Sequence, residues 1–275
     1  MSKVAIIGIV GESVFLGVNT LPKGGETVHA NRMFTELGGK GFNQAVAVAR
    51  FGGEVSFLAA VGQDGYKQKV QDFCEKEGIT LFLVEKEDRT AYAVIETEQS
   101  GENCVTVFQG ARLDECDLDA FEKEIKTADY LLITNEIPLE VLQKSIKVAY
   151  RYATKVIFNP APYRELDKES KDKVYLFTPN EHETKGLENY QNIVVTLGAK
   201  GSYIKALDRI VPSEKVEAID TTGAGDTFNG VLTVMLSQGN RIEQAVEIAN
   251  KVAGISTMKR GAVGAIPYKK EIEGL

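Results

Sequence analysis

Gly38-Gly39-Lys40-Gly41-Phe42-Asn43-Gln44-Ala45 opens a helical pattern that runs from Gly41 to Arg50. Glycines at a strand-to-helix turn let the backbone come close to a ligand, and the following helix presents unpaired amides there. Short apolar runs lie on either side, Val4 to Ile9 before the turn and Val55 to Val61 after the helix. Further along come Tyr130 to Thr134, Lys155 to Asn159, Val174 to Thr178 and Ile193 to Leu197, each read as a buried strand. Helical patterns lie among them at Tyr66 to Glu77, Leu139 to Tyr152, Ala224 to Gln238 and Ile242 to Met258. This alternation predicts an α/β fold, a mainly parallel central sheet flanked by helices.

Two segments break the alternation. Residues 13–37 contain LPKGGETVHANRMFTEL, where Val28, Ala30, Met33 and Phe34 alternate only in part. Residues 89–109 contain TAYAVIETEQSGENCVTVFQ, with Ala91, Ala93, Ile95, Val105 and Val107 alternating with other residues. This second segment reads as a hairpin turning at Gln99-Ser100-Gly101-Glu102. Both predict antiparallel strands that leave the main sheet and form a small β lid over one edge. Residues 1–275 read as one α/β domain with that lid as its appendage.

Composition narrows the functions open to such a chain. The charge balance is 32 − 39 = −7, so no general positive field serves a nucleic acid or an anionic membrane. A phosphate site must therefore be built locally, from backbone amides and a few cations. No stretch approaches the length of a membrane span and no signal-peptide layout appears, which predicts a cytoplasmic protein. Cys74, Cys104 and Cys116 lack CxxC spacing and read as reduced, mostly buried thiols rather than a zinc site. His29 and His182 stand alone and take no catalytic part in this reading.

A second glycine turn carries the chemistry. In Asp220-Thr221-Thr222-Gly223-Ala224-Gly225-Asp226-Thr227-Phe228-Asn229-Gly230, small residues open the helix from Ala224, and its amides form an anion cradle. Asp226 falls in the first turn, where the positive helix end favours its ionised form. A carboxylate there can accept the proton of an attacking hydroxyl while the amides stabilise a migrating phosphoryl group. The bland reading is a carboxylate that merely complements the helix dipole. Neither GxxxxGK[ST] nor a full dinucleotide fingerprint is present. Thr196-Leu197-Gly198-Ala199-Lys200-Gly201, ending a strand, suits a nucleotide at the carboxyl ends of a parallel sheet.

These motifs resemble those of the ribokinase-like (PfkB) carbohydrate kinase family over nearly the whole chain, closest to its ribokinase branch. GGKGFNQAVAVARFGGEVSFLAAVG matches the N-terminal signature in spacing, and DTTGAGDTFNG matches the C-terminal one, with Val231 where Gly or Ala is usual. Asn159 to Pro162 (NPAP), Thr178 to Glu181 (TPNE) and Thr196 to Gly201 (TLGAKG) lie between them in the family's order. The resemblance implies an ATP-dependent kinase acting on a sugar hydroxyl, with Asp226 as catalytic base and Gly223, Ala224 and Gly225 as the anion hole. It implies that Asn180 and Glu183 organise Mg²⁺ through water, and that Thr196, Gly198 and Asn250 line the nucleotide site. Asp220, Thr222, Ser256, Lys259 and Gly261 match the family's monovalent-cation site, which implies K⁺ as activator. Gly39, Lys40, Asn43 and Glu136 match substrate-contacting positions, although Glu136 could instead cap the helix that begins near Pro138. Pairing of two lids in a homodimer is also implied.

Two departures stand out. Gly11 and Ser13 occupy the positions where ribokinase reads sugar hydroxyls with Asn and Asp, with Glu12 between them. That loss argues against ribose as the acceptor. Only HETKGLENYQN separates Glu181 from Ile193, so a peripheral helix should shrink to a turn or two. A nucleoside kinase of the same fold is the neighbouring possibility, with Phe15, Phe42 or Phe108 stacking on a base. A catalytically silent sugar or nucleotide sensor is the more distant one.

Overall fold

Residues 4–7, Val-Ala-Ile-Ile, are apolar at every position, as a strand covered on both faces requires. The structure, a computed structural model, describes residues 3–98 and 102–272. The chain starts with β1 (Lys3–Ile7), β2 (Gly11–Gly17), β3 (Arg32–Gly38) and α1 (Lys40–Arg50). It continues through β4 (Glu54–Gly62), α2 (Tyr66–Glu77), β5 (Thr80–Lys86), β6 (Ala91–Thr97) and β7 (Asn103–Phe108). Then come α3 (Glu122–Thr127), β8 (Tyr130–Thr134), α4 (Leu139–Arg151), β9 (Lys155–Asn159), a short α5 (Lys168–Lys171) and β10 (Leu176–Phe177). The antiparallel strands β11 (Val194–Thr196), β12 (Ser202–Ile204) and β13 (Arg209–Val211) precede α6 (Ala224–Ser237) and α7 (Ile242–Ser256).

The main sheet has the order β10-β9-β8-β1-β4-β5 and is parallel throughout. Single parallel bridges from Phe177 to Ile193 and from Asn180 to Thr196 carry it on towards β11. Side chains alternate between two cores. On β1, Val4 and Ile6 join α1, α6 and α7, whereas Ala5 and Ile7 join α4 and the segment containing Leu118, Phe121 and Ile125. Tyr130 and Leu132 of β8 face the first core, Leu131 and Ile133 the second. The expected α/β architecture is the one found. Its consequence for function is that α1 and α6 lie side by side on one face, so the helices opened by the two glycine turns can share a site.

The structure departs from the sequence reading in several places. The small sheet, ordered β3-β2-β6-β7, is not antiparallel throughout, because β2 and β6 pair in parallel. The reason is topological. β2 continues from β1 and β6 from β5, and those two strands already point the same way in the main sheet. Val28 and Ala30 belong to no strand. The turn expected at Gln99-Ser100-Gly101 lies outside the described residues, although Glu98 N–H donates to Glu102 O at 3.0 Å across its base.

β5 was not anticipated. Its apolar run, Leu81 to Val84, is followed at once by Glu85-Lys86-Glu87-Asp88, yet Leu81 and Leu83 reach one core while Phe82 and Val84 reach the other. The shortened segment after Glu181 keeps no helix and runs as turns to Ile193. Cys74 is buried, but Cys104 and Cys116 are exposed, one on the outlying β7 and one in a surface turn. Among the described residues no helix is long and apolar enough to cross a membrane.

Candidate active site

Gly223 precedes α6 with φ +76°, and a Cβ built on it would stand 2.9 Å from that of Ala262. Only glycine tolerates both conditions. Ala224 and Gly225 then begin the helix, and nothing stands within 4 Å of a Cβ added at Gly225. An open approach to the first turn of a helix suits a phosphate, with the Ala224 N–H also donating to Thr221 O at 3.2 Å. Asp226, in the same turn, is 5% exposed.

The partners of Asp226 come from α1. Asn43 Nδ2 donates to Asp226 Oδ2 at 2.8 Å, and Gln44 Nε2 donates to Oδ1 at 3.1 Å. Gln44 Nε2 also reaches Asn159 Oδ1 at 3.4 Å, and Asn159 Nδ2 donates to Thr178 O at 2.8 Å. Three sequence motifs thus converge on one carboxylate. Burial pushes the Asp226 carboxyl above its ordinary value, while the Lys40 charge and the two amide donors pull it back. Asp226 in turn raises Lys40 above its ordinary value. A desolvated carboxylate kept available by such donors can take a proton. Asn43 Oδ1 and Gln44 Oε1 are buried and have no protein partner among the described residues. Of these two unpartnered acceptors, Asn43 Oδ1 belongs to the side chain that is not fully covered and fits a hydroxyl-bearing ligand.

Gly39 has φ +107°, and a Cβ there would meet Ile9 O at 2.4 Å. Glu136 Oε2 accepts the Lys40 N–H at 2.8 Å, and the carboxylate also takes the Gly41 N–H. It therefore caps α1, the helix across the site, and not α4, which follows it in sequence. Burial pushes Glu136 up to about 7, with the Lys40 charge opposing and the Asp226 charge reinforcing that shift.

On the expected nucleotide side, Glu183 Oε2 accepts the Asn180 N–H at 3.0 Å and Asn180 Oδ1 accepts the His182 N–H at 2.8 Å. The pair is held in one tight turn at the end of β10. Thr196 N–H donates to Pro179 O at 2.9 Å, which places the β11 end beside that turn. Gly198, with φ +56°, has open space where a Cβ would stand. Asn250 is different. Its Oδ1 accepts from Ser202 Oγ at 2.7 Å and its Nδ2 donates to Val211 O at 3.0 Å, so its amide fastens β12 and β13 to α7.

Asp220 Oδ1 accepts from the Thr222 N–H at 3.0 Å and Thr222 Oγ1 at 2.7 Å, while Oδ2 accepts the Gly261 N–H at 3.0 Å. Ser256 Oγ donates back to Ala253 O at 2.8 Å, and Lys259 N–H reaches Ser256 O at 3.3 Å. These residues form one loop assembly beneath the start of α6.

Glu12 does not take over the lost acceptor contacts, because its carboxylate binds Tyr66 Oη and Lys69 Nζ on α2. A Cβ at Gly11 would stand 2.1 Å from Ala91 O, so the close pairing of β2 with β6 excludes a side chain there. Phe42 is fully buried against Phe57 and Phe73, and Phe15 stacks on Phe34 at 4.6 Å. Phe42 is core packing, with no face for a base. Sequence reading passed over Gln44, Asn159 and Glu36 as functional candidates. The first two stood inside motifs already quoted, but Glu36 lay in a lid segment with no motif to mark it.

The pfkB family carbohydrate kinase model matches residues 1–269. Ribokinase of Bacillus subtilis is 35% identical over 295 residues, covering 100% of this chain and 99% of that protein. The crystal structure of ribokinase from Thermotoga maritima superposes with a TM-score of 0.88 at 33% identity, covering 99% of this chain and 98% of that one. Ribokinase from Cryptococcus neoformans, solved in complex with ADP, gives 0.85 at 26% identity, over 98% and 99% of the two chains. Sequence signatures, fold and site geometry agree: the chain belongs to the pfkB family of carbohydrate kinases.

Proposed function

We propose that this carbohydrate kinase transfers the γ-phosphoryl group of ATP to a hydroxyl of a small sugar or sugar-like acceptor, with Asp226 as general base. The observation that carries the reading is the Asp226 carboxylate, held by Asn43 and Gln44 beside the open space at Gly225. Asp226 removes the acceptor proton as the acceptor oxygen bonds to the γ-phosphorus and the bond to the β-phosphate oxygen breaks, releasing ADP. Amides of Gly223, Ala224 and Gly225 stabilise the charge that develops on the phosphoryl oxygens. Gly39, Lys40 and Asn43 hold the acceptor, and Glu136 shapes their backbone from behind. The unpartnered Asn43 Oδ1, beside Asp226, supports a hydroxyl-bearing ligand in that position.

Thr196 and Gly198 border the nucleotide, for which the ADP complex of the Cryptococcus neoformans relative is support. Asn180 and Glu183 would hold Mg²⁺ through water. Such a hard cation neutralises phosphate charge and keeps most of its hydration. Asp220, Thr222, Ser256, Lys259 and Gly261 would surround K⁺, which would stiffen the loop beneath the anion hole. The small sheet serves as a lid that excludes water, and its outlying strand β7 joins two chains in a homodimer. Free, exposed Cys104 and Cys116 suit the reducing cytoplasm.

Asp226→Asn tests the central claim. Phosphoryl transfer to a panel of pentoses, hexoses and nucleosides should fall by roughly 10²- to 10⁴-fold while ATP still binds. Undiminished transfer in the variant would remove Asp226 from the mechanism. Sugar and nucleotide binding without transfer in the wild type would favour the sensor.

A further inference from the structure

The lid strand β3 reaches the loop that follows α7 through one acidic side chain. Glu36 is paired with Ser13 across the sheet, and neighbouring Phe34 stacks on Phe15 of the same face. The Glu36 carboxylate accepts the N–H of Ala262, of Val263 and, at 3.0 Å, of Gly264. It thereby caps the short turn Val263–Ala265. The loop is shaped to receive it, because a Cβ at Gly261 would stand 2.8 Å from Glu36 Oε1 and one at Gly264 would stand 3.1 Å from Oε2.

The next amide, that of Gly261, belongs to Asp220 at 3.0 Å. Consecutive amides of one loop are therefore shared between a carboxylate of the anion-hole motif and a carboxylate of the small sheet. Ala262 also packs against Phe15 and Ile95 of that sheet, and its Cβ is the atom that excludes a side chain from Gly223. Contact is continuous from lid strand, through Ala262, to the residue that begins the phosphate cradle.

We propose that Glu36 is a positioning residue that couples the seating of the lid to the geometry of the anion hole. It touches no substrate and acts through the 261–264 loop. The proposal rests on the kinase reading above for its catalytic consequence, but not for its structural one. With the lid seated, Glu36 holds the loop against Gly223; with the contact broken, the loop loses its side-chain acceptor on that flank and the cradle loosens.

Two measurements on Glu36→Ala and Glu36→Gln test this. Hydrogen exchange should quicken in Glu36→Ala both in peptides covering 260–265 and in those covering the start of α6, with Glu36→Gln between variant and wild type. Faster exchange confined to 260–265, or none, would overturn the coupling whatever the enzyme's activity. In steady-state kinetics kcat should drop by roughly 10-fold in Glu36→Ala, with a smaller change in acceptor KM, as misplacement of catalytic groups produces. An unchanged kcat, or a change in KM alone, would reduce Glu36 to a lid anchor. Failure of the kinase reading appears separately, as absence of transfer in the wild type or its persistence in Asp226→Asn.

Discussion

At Asp226, burial and hydrogen bonding oppose each other. Burial pushes the carboxyl above its ordinary value, and the Lys40 charge together with the amide donors Asn43 and Gln44 restrains that shift. The charged groups around the cluster are Lys40, Glu136 and, acting on Lys40, Glu183. Gln44 is fully buried and reaches no solvent, so its amide serves the carboxylate and Asn159. Replacing Gln44 with Met removes one influence that lowers the Asp226 pKa while keeping the volume. The base then stays protonated to higher pH, and the acid limb of the kcat/KM profile moves upward. A pH–rate profile of Gln44→Met beside the wild type measures this. An unmoved limb would show that the amide fills space without tuning the base.

At the scale of elements, α1 is held at both ends. Glu136 caps its N-terminus, and Arg50, in its last turn, donates to Glu77 of α2 at 2.7 and 3.1 Å and to the carbonyls of Val263 and Ile266 at 2.7 Å. Burial acts to raise Glu77, but the Arg50 hydrogen bonds and charge outweigh it and hold the carboxyl below its ordinary value. Arg50→Met leaves the buried Glu77 side chain with the Tyr268 hydroxyl but without its cation, and two carbonyls without the Arg50 donor, and should lower stability by about 3 kcal/mol. The sign of the pH dependence follows from the lowered pKa. The pair's contribution is complete above the unfolded Glu pKa and disappears as pH falls through the folded value. Urea unfolding should therefore show a large gap between wild type and Arg50→Met near neutrality that narrows in acid. A constant gap across pH would mean that packing, not the ion pair, carries the effect.

At the scale of the whole molecule, the small sheet is the part least covered by its own chain. β7 is its outer strand and is exposed at every position, with Val105 51% and Val107 55% exposed. An apolar edge of this kind invites pairing with another chain. With the proposed dimer, sedimentation velocity should give the mass of two chains for the wild type and of one for Val107→Asp. A monomeric wild type would remove the dimer from the functional picture. Acceptor turnover by a monomeric Val107→Asp protein would tell whether the lid works without its partner.

Glycine turns, strand runs and the order of motifs are local properties, and the sequence determined them by itself. Gly39 and Gly223 adopt a positive φ that glycine takes without strain, and apolar residues on both faces of β1 and β8 leave no place but the middle of a sheet. That was enough for the α/β fold, the family and the placing of Asp226 at a helix start. β5 escaped because its short apolar run meets charged residues at once, so its place in the sheet shows only through packing on both faces. The parallel pairing of β2 with β6 escaped because strand direction in the lid is inherited from the sheet below it. The partners of Asp226 lie 183 and 182 residues away, and Glu36 lies 226 residues from Ala262. Only the tertiary structure decided those contacts, since packing α1 against α6 and the lid against the last loop brings together groups that no local rule of chain conformation relates.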